Sequence, residues 1–287
     1  MRTIAALRPI IILIFFAALA SGGCGSLQAG SHAKRDIVAA FYPLAFAAEQ
    51  VGGASVTVRN LTPPGVEPHD LEVSPRDVQA IRSADLVLLL GHGFQPQLED
   101  AAGNGDKVVR LLDTPGLRGF PNGDPHVWLD PGRYRLIVEE IGRKLDAKPA
   151  ADRLAVRLRA LDAEYRQGLA HCARHEIVTS HEAFAYLAQR YGLRQIAITG
   201  LSPEAEPTPR ALQRVVTLVR ERHVTTVFFE TLVSPKIAET VARETGAKTA
   251  PLNPIEGLTP SQAKRGDDYF SLMRANLNSL RRALGCR

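Results

Sequence analysis

The 287-residue sequence predicts an α/β protein in which two parallel-sheet α/β domains are joined by a long rigid helix. Three observations predict it. Strand-like apolar runs alternate with helical patterns in both halves of the chain, which implies parallel sheets covered by helices. One unusually long amphipathic pattern separates the halves. The length suits two domains of ordinary size, and 45% hydrophobic with 23% charged residues is a normal globular composition.

In the first half, DIVAAF reads as a buried strand and PLAFAAEQVGG as a helix stopped by Gly52 and Gly53. SVTVRNL alternates as a strand. SPRDVQAIRSA follows as a helix, with Ser74 as N-cap and Pro75 at its first position. DLVLLLG is a buried strand, HGFQPQLEDAAG a short helix and KVVRLL a strand. The loop 113–125 is rich in Pro and Gly, and a helix then runs from about Pro131 to Leu145. The long pattern begins near Pro149, with Leu154, Leu158, Leu161 and Tyr165 on one stripe.

The second half repeats the logic. EIVTS and QIAIT are strands around the helix EAFAYLAQRYG, and VTTVFFE and KTAPLN are strands around SPKIAETVARETG. The loop GLSPEAEPTP leads into another helix, with Glu204 and Glu206 expected to face solvent or brace the loop. The chain closes on the helix DDYFSLMRANLNSLRRAL. The resulting division is 1–23 signal peptide, 24–35 flexible tether, 36–147 N-terminal domain, 148–171 linker helix and 172–287 C-terminal domain.

The N-terminus is a targeting signal: Arg2 and Arg8 precede the apolar run Ile10 to Ala20, followed by Ser21, Gly22, Gly23 and Cys24. The cysteine after Gly-Gly predicts a lipid anchor at Cys24, with plain cleavage as the alternative. Export would expose Cys172 and Cys286 to oxidation, and two leftover cysteines suit one disulfide. Removing 1–23 takes Arg2 and Arg8 and no acid, leaving 33 basic against 30 acidic residues, a net charge of +3. Scattered, interleaved charges of that size do not support nucleic-acid binding.

Three histidines stand apart from the other five. His69 (GVEPHDLE), His126 (GDPHVWLDP) and His181 (VTSHEAF) lie in polar segments that follow strand-like runs or a turn. Open α/β sheets bind ligands beyond the carboxyl ends of their strands, so these loops can converge on a cleft between two halves. Neutral imidazoles from separate loops make a zinc-type site. His171 and His175 suit a solvated helix end, and His92 is a loop residue placed to support the cleft from outside. Enzyme signatures are missing: HEAFA has Ala185 where a zinc protease needs its second histidine, GHGFQP is no phosphate loop, and no Gly-x-Ser-x-Gly elbow occurs.

Together FYPLAFAAEQVGG, LTPPGVEPHDLEVSPRDVQAI, ADLVLLLGHGF, DPHVWLDP, SHEAFAYLAQRYGL, LSPEAEPTP and GDDYFSLMRANLNSL resemble the zinc/manganese solute-binding proteins of ABC importers, the cluster A-I metal-binding lipoproteins. The likeness runs from about Asp36 to Leu284. It implies a metal ion in the interdomain cleft held by His69, His126 and His181, no catalysis, and delivery of the metal to an ABC permease. The expected chain is a monomer at the outer face of the membrane or in the periplasm. Histidine at position 181 implies Zn²⁺ as cargo, with Mn²⁺ the alternative. A surface adhesin or structural lipoprotein is the rival role.

The sequence departs from the family in three places. Residues 113–125 contain no histidine, so accessory metal capture there is not expected. Gln95 replaces a glutamate frequent in the GxGFEP segment. Asn253 stands where the family often has an aspartate ligand, leaving Asn253, Glu256 or a water as the fourth ligand.

Overall fold

A computed structural model describes residues 33–117 and 123–287; the signal segment, Cys24 and nearly all of the tether lie outside them. The first half contains β1 (Arg35–Ala39), α1 (Tyr42–Gly52), β2 (Val56–Asn60), α2 (Pro75–Ser83), β3 (Leu86–Leu89), α3 (Pro96–Ala102) and β4 (Val108–Arg110). Its strands form one parallel sheet in the order β2-β1-β3-β4. The run LVLL of β3 is buried along its whole length, as a strand covered on both faces must be. α2 starts where its sequence says: Ser74 and Asp77 exchange side-chain bonds in a capping box, and Pro75 opens the first turn.

α4 (Pro131–Lys144) and α5 (Lys148–Gly168) lead out of this half and lie close together. A Cβ on Gly142 would come within 2.5 Å of the Ala151 methyl, so glycine there permits the approach. The predicted stripe Leu154, Leu158, Leu161 and Tyr165 is buried on α5. Each such leucine contributes about 1.5–3 kcal/mol relative to exposure.

The second half contains β5 (Glu176–Thr179), α6 (Ala185–Tyr191), β6 (Arg194–Ala197), α7 (Pro209–Glu221), β7 (Thr226–Phe229), α8 (Lys236–Thr245) and β8 (Lys248–Pro251). The parallel order β6-β5-β7-β8 repeats that of the first sheet. In each sheet the strand order reverses between the two central strands, which opens a crevice at their carboxyl ends. α9 (Pro260–Arg265) and α10 (Tyr269–Leu284) follow β8. α10 returns to the long helix: the Tyr165 hydroxyl donates to the Met273 carbonyl at 2.6 Å, and Arg274 pairs with Glu164.

One further tie joins the halves, and another closes the second half on itself. Arg190 at the end of α6 grips Asp162 of α5 with two nitrogens, at 2.6 and 2.9 Å, and its Nε lies 3.1 Å from the Asp130 carboxylate at the start of α4. The guanidinium lies against backbone, since a Cβ on Gly132 would meet it at 2.6 Å. The expected disulfide is present between Cys172 and Cys286, closing a loop of sequence separation 114.

Two tests follow from this architecture. Replacing both Cys172 and Cys286 by Ser releases a loop of that length and is expected to lower stability by about 4 kcal/mol, read from denaturant curves. Unchanged curves would show that the link adds nothing. Burial works to raise the Asp162 carboxyl, but hydrogen bonds from Arg190, Tyr191 and Arg166 outweigh it and bring the group down to about 2. The stability Asp162 contributes is therefore fully present above the ordinary aspartate value near 3.9 and lost as pH falls towards 2. Asp162→Asn should flatten the acid limb of a stability–pH profile.

Candidate metal centre

His69 sits in the one-turn helix Pro68–Asp70 between β2 and α2, where its backbone N–H donates to Glu67 Oε1 at 3.3 Å. His126 stands just before the turn Val127–Leu129, two residues after Asp124. That carboxylate accepts from both the backbone N–H of His126, at 2.8 Å, and its ring Nδ1, at 2.7 Å. His181 lies two residues beyond β5. Glu230, directly after the neighbouring strand β7, accepts from its backbone N–H at 3.1 Å and binds its ring Nδ1 at 2.8 Å. His181 and Glu230 thus occupy the crevice where the second sheet reverses.

The fourth member comes from the loop after β8. Ligand atoms of His69, His126, His181 and Glu256 all lie within 4.8 Å of one another. Glu256 Oε1 is 2.9 Å from His126 Nε2, 3.4 Å from His69 Nε2 and 3.5 Å from His181 Nε2. Asn253 has a different task. Its side-chain oxygen accepts from the Ile255 N–H at 2.7 Å, while Asn276 bonds its backbone on both sides, at 2.8 and 2.6 Å. Ile255 is thereby held at φ 59°, a left-handed conformation costly for a β-branched residue, and the turn delivers Glu256 inward. The Trp128 indole pins the same loop by donating to the Pro254 carbonyl at 2.7 Å.

The tautomers follow from these contacts. With Nδ1–H committed to Asp124 and to Glu230, the Nε2 atoms of neutral His126 and His181 both carry lone pairs, yet they face each other at 3.3 Å. Two lone pairs at that separation need a proton or a cation between them. The Nε2 of His69 and both oxygens of Glu256 are also buried without hydrogen-bond partners. The residues therefore fit a cation bound by three imidazoles and one carboxylate, with carboxylates orienting two of the rings as metal sites commonly do. Phe94 packs edge-on to His69 with ring centres 4.7 Å apart, and Trp128 lies 5.2 Å from His126, so the pocket wall is apolar.

Burial would lower the His181 imidazole, but the charge and hydrogen bond of Glu230, then Glu256, push it up to about 10. His126 is likewise raised: Asp124 and Glu256 overcome its burial. Burial alone would raise Glu256, yet the three imidazoles hold it well below the usual carboxylate range. Glu67 goes the other way, pushed up to about 9 by burial and then by the charge of Glu256.

All three sequence-predicted histidines meet, and Glu256 lies beside them, while Asn253 braces the loop that carries it. His92 is exposed and bonds Asp113 at 3.1 Å, outside the cluster. Glu204 and Glu206 are exposed. The sequence reading did not single out Asp124 or Glu230. Asp124 had a signal in its place two residues before His126; Glu230 had only its position at a strand end.

Residues 37–283 match the family described as zinc-uptake complex component A, periplasmic. The chain belongs to this family. It is 32% identical to the high-affinity zinc uptake system protein ZnuA of Bacillus subtilis over 96% of both chains. It is 34% identical to the zinc-binding lipoprotein AdcA of Streptococcus pneumoniae over 94% of its own length but only 60% of that relative, so it spans about three fifths of AdcA. The Zn(II)-bound ZnuA-like domain of AdcA has the same fold, with a TM-score of 0.75 and 36% identity, covering 88% of this chain and 99% of the domain. The laminin-binding protein Lmb of Streptococcus agalactiae, described as a bifunctional adhesin and metal transporter, gives a TM-score of 0.77 at 33% identity over 87% and 99% of the two chains. The ZnuA-like fold accounts for both the paired sheets and the helix between them.

A protonated His181 cannot donate its lone pair, so a cation entering the cluster must expel that proton. Cation binding near neutral pH should release protons, and affinity should fall as pH is lowered. Calorimetry in two buffers of different ionisation heat checks this; identical heats in both would contradict it.

Proposed function

We propose that the chain is an extracytoplasmic, high-affinity Zn²⁺-binding protein that captures the ion in the cleft between its two halves and hands it to an ABC transporter permease. The observation that carries this reading is the facing pair of carboxylate-oriented imidazoles, His126 and His181, completed by His69 and Glu256. Three nitrogens and one oxygen suit tetrahedral zinc; manganese, the alternative cargo, favours more oxygen. Four protein donors also differ from catalytic zinc sites, which keep a position open for water or substrate, and this supports a binding role without catalysis.

Membership of a zinc-uptake family and the names of the relatives support the cargo, the extracytoplasmic setting and a permease partner. Among the described residues no helix is long and apolar enough to cross a membrane. Attachment through a lipid on Cys24 fits the export signal, and the chain acts as a monomer without nucleic-acid partners. The working division is 36–147, 148–171 and 172–287, with α5 as a stiff spacer that allows only small movements between the halves. A second role in surface adhesion is supported by likeness to the Streptococcus agalactiae protein.

Calorimetry on metal-stripped protein tests the proposal. Tight 1:1 Zn²⁺ binding is expected. It should be abolished when His69, His126 and His181 are all changed to Ala, and weakened about 10–100-fold by Glu230→Gln, which loosens one ring without removing a ligand. Absence of tight binding, or binding that survives the triple change, would overturn it. Growth rescue under chelation separates uptake from an adhesive role.

A further inference from the structure

His69 is held differently from its two partners. Asp124 and Glu230 grip the Nδ1 side of the His126 and His181 rings, whereas the His69 ring meets a carboxylate only on its Nε2 side, Glu256 at 3.4 Å, and its segment is fixed through the backbone. It is also the most exposed donor, with 12% of its side chain accessible against 0–1% for the others. What fixes the backbone on the far side of Pro68 is Gln95, the residue just before α3.

Gln95 is only 5% exposed. Its Nε2 donates to the Pro68 carbonyl at 3.2 Å and to Thr62 Oγ1 at 3.3 Å. Both partners require a donor. A carbonyl can only accept, and the Thr62 hydroxyl has already given its proton to the Ala40 carbonyl at 2.7 Å. The amide must therefore point its NH₂ group at the loop, which leaves Gln95 Oε1 buried with no partner. An orphaned buried oxygen costs free energy comparable to what the donated bonds return, so net stability does not account for an amide at this position. What the amide achieves is a fixed link from the end of β1, through Thr62, to the residue preceding a metal donor.

We propose that Gln95 is a positioning residue that latches the His69 segment and so sets how fast bound zinc is released. The release step rests on the zinc reading above; the latch itself does not. A carboxylate at 95 would repel the Pro68 carbonyl, and an aliphatic group would leave it without this donor.

Two measurements on the full chain test this. In metal-free protein, Q95L should speed amide hydrogen exchange at residues 67–71 while leaving residues 179–182 unchanged. In zinc-loaded protein, transfer to excess EDTA should be about tenfold faster in Q95L, which loses both bonds while only the one to Pro68 holds the His69 segment directly, with the capture rate unaltered. Q95E at neutral pH should release at least as fast. Unchanged exchange and unchanged release in Q95L would overturn the proposal, as would equal loosening of both segments, which marks a general loss of packing. Should Q95L fail to fold, T62V removes one of the two bonds and is held to the same two criteria with a smaller effect. If wild-type protein holds zinc only weakly while Q95L still loosens residues 67–71, the zinc reading falls and the latch stands.

Discussion

His126 and His181 are held with their Nε2 nitrogens 3.3 Å apart and their Nδ1 nitrogens tied to carboxylates, and the surrounding structure maintains that unfavourable approach. Neither ring can turn away. Asp124 and Glu230 each bond a ring and the backbone N–H of the same residue, so the rings are anchored at two points. His126 belongs to the segment leaving the first half and His181 to a central strand end of the second. Their separation therefore depends on how the two sheets are spaced by α4, α5 and α10.

Charge in a dry pocket is expensive, and the fold limits that cost by balancing signs. Two imidazoles raised by acids face a carboxylate held ionised by imidazoles, with Phe94 and Trp128 restricting water. The strained Ile255 belongs to the same economy. Its conformation is enforced by Asn253 and Asn276, so a local penalty is absorbed by a rigid amide pair and Glu256 arrives at a defined position.

Much of the fold was legible in the sequence because its signals were local. DLVLLLG, the Ser74-Pro75 start and the leucine stripe of α5 each report one periodicity or one cap, and each appears where read. α9 was not read: Thr259 and Gln262 form a capping box, but six residues carry no apolar period. The three histidines were legible from their loops and from the family resemblance. That Glu256 rather than Asn253 faces the three imidazoles was not, since both are polar residues of one loop and their orientation turns on the backbone angle of Ile255. Asp124 and Glu230 look like ordinary turn and strand-end acids until the tertiary fold sets them against imidazoles.

The bridge between Cys172 and Cys286 has a topological meaning beyond its energy. It begins just past the long helix and ends one residue before the C-terminus, so it makes the entire second half a covalent ring. Glu230, Glu256 and the strand that presents His181 all lie on that ring. A single backbone cut anywhere along it would open the ring without freeing a fragment, and a nicked molecule could keep all four donors on one covalent body. Such a molecule would count as damaged by its sequence yet whole by its connectivity.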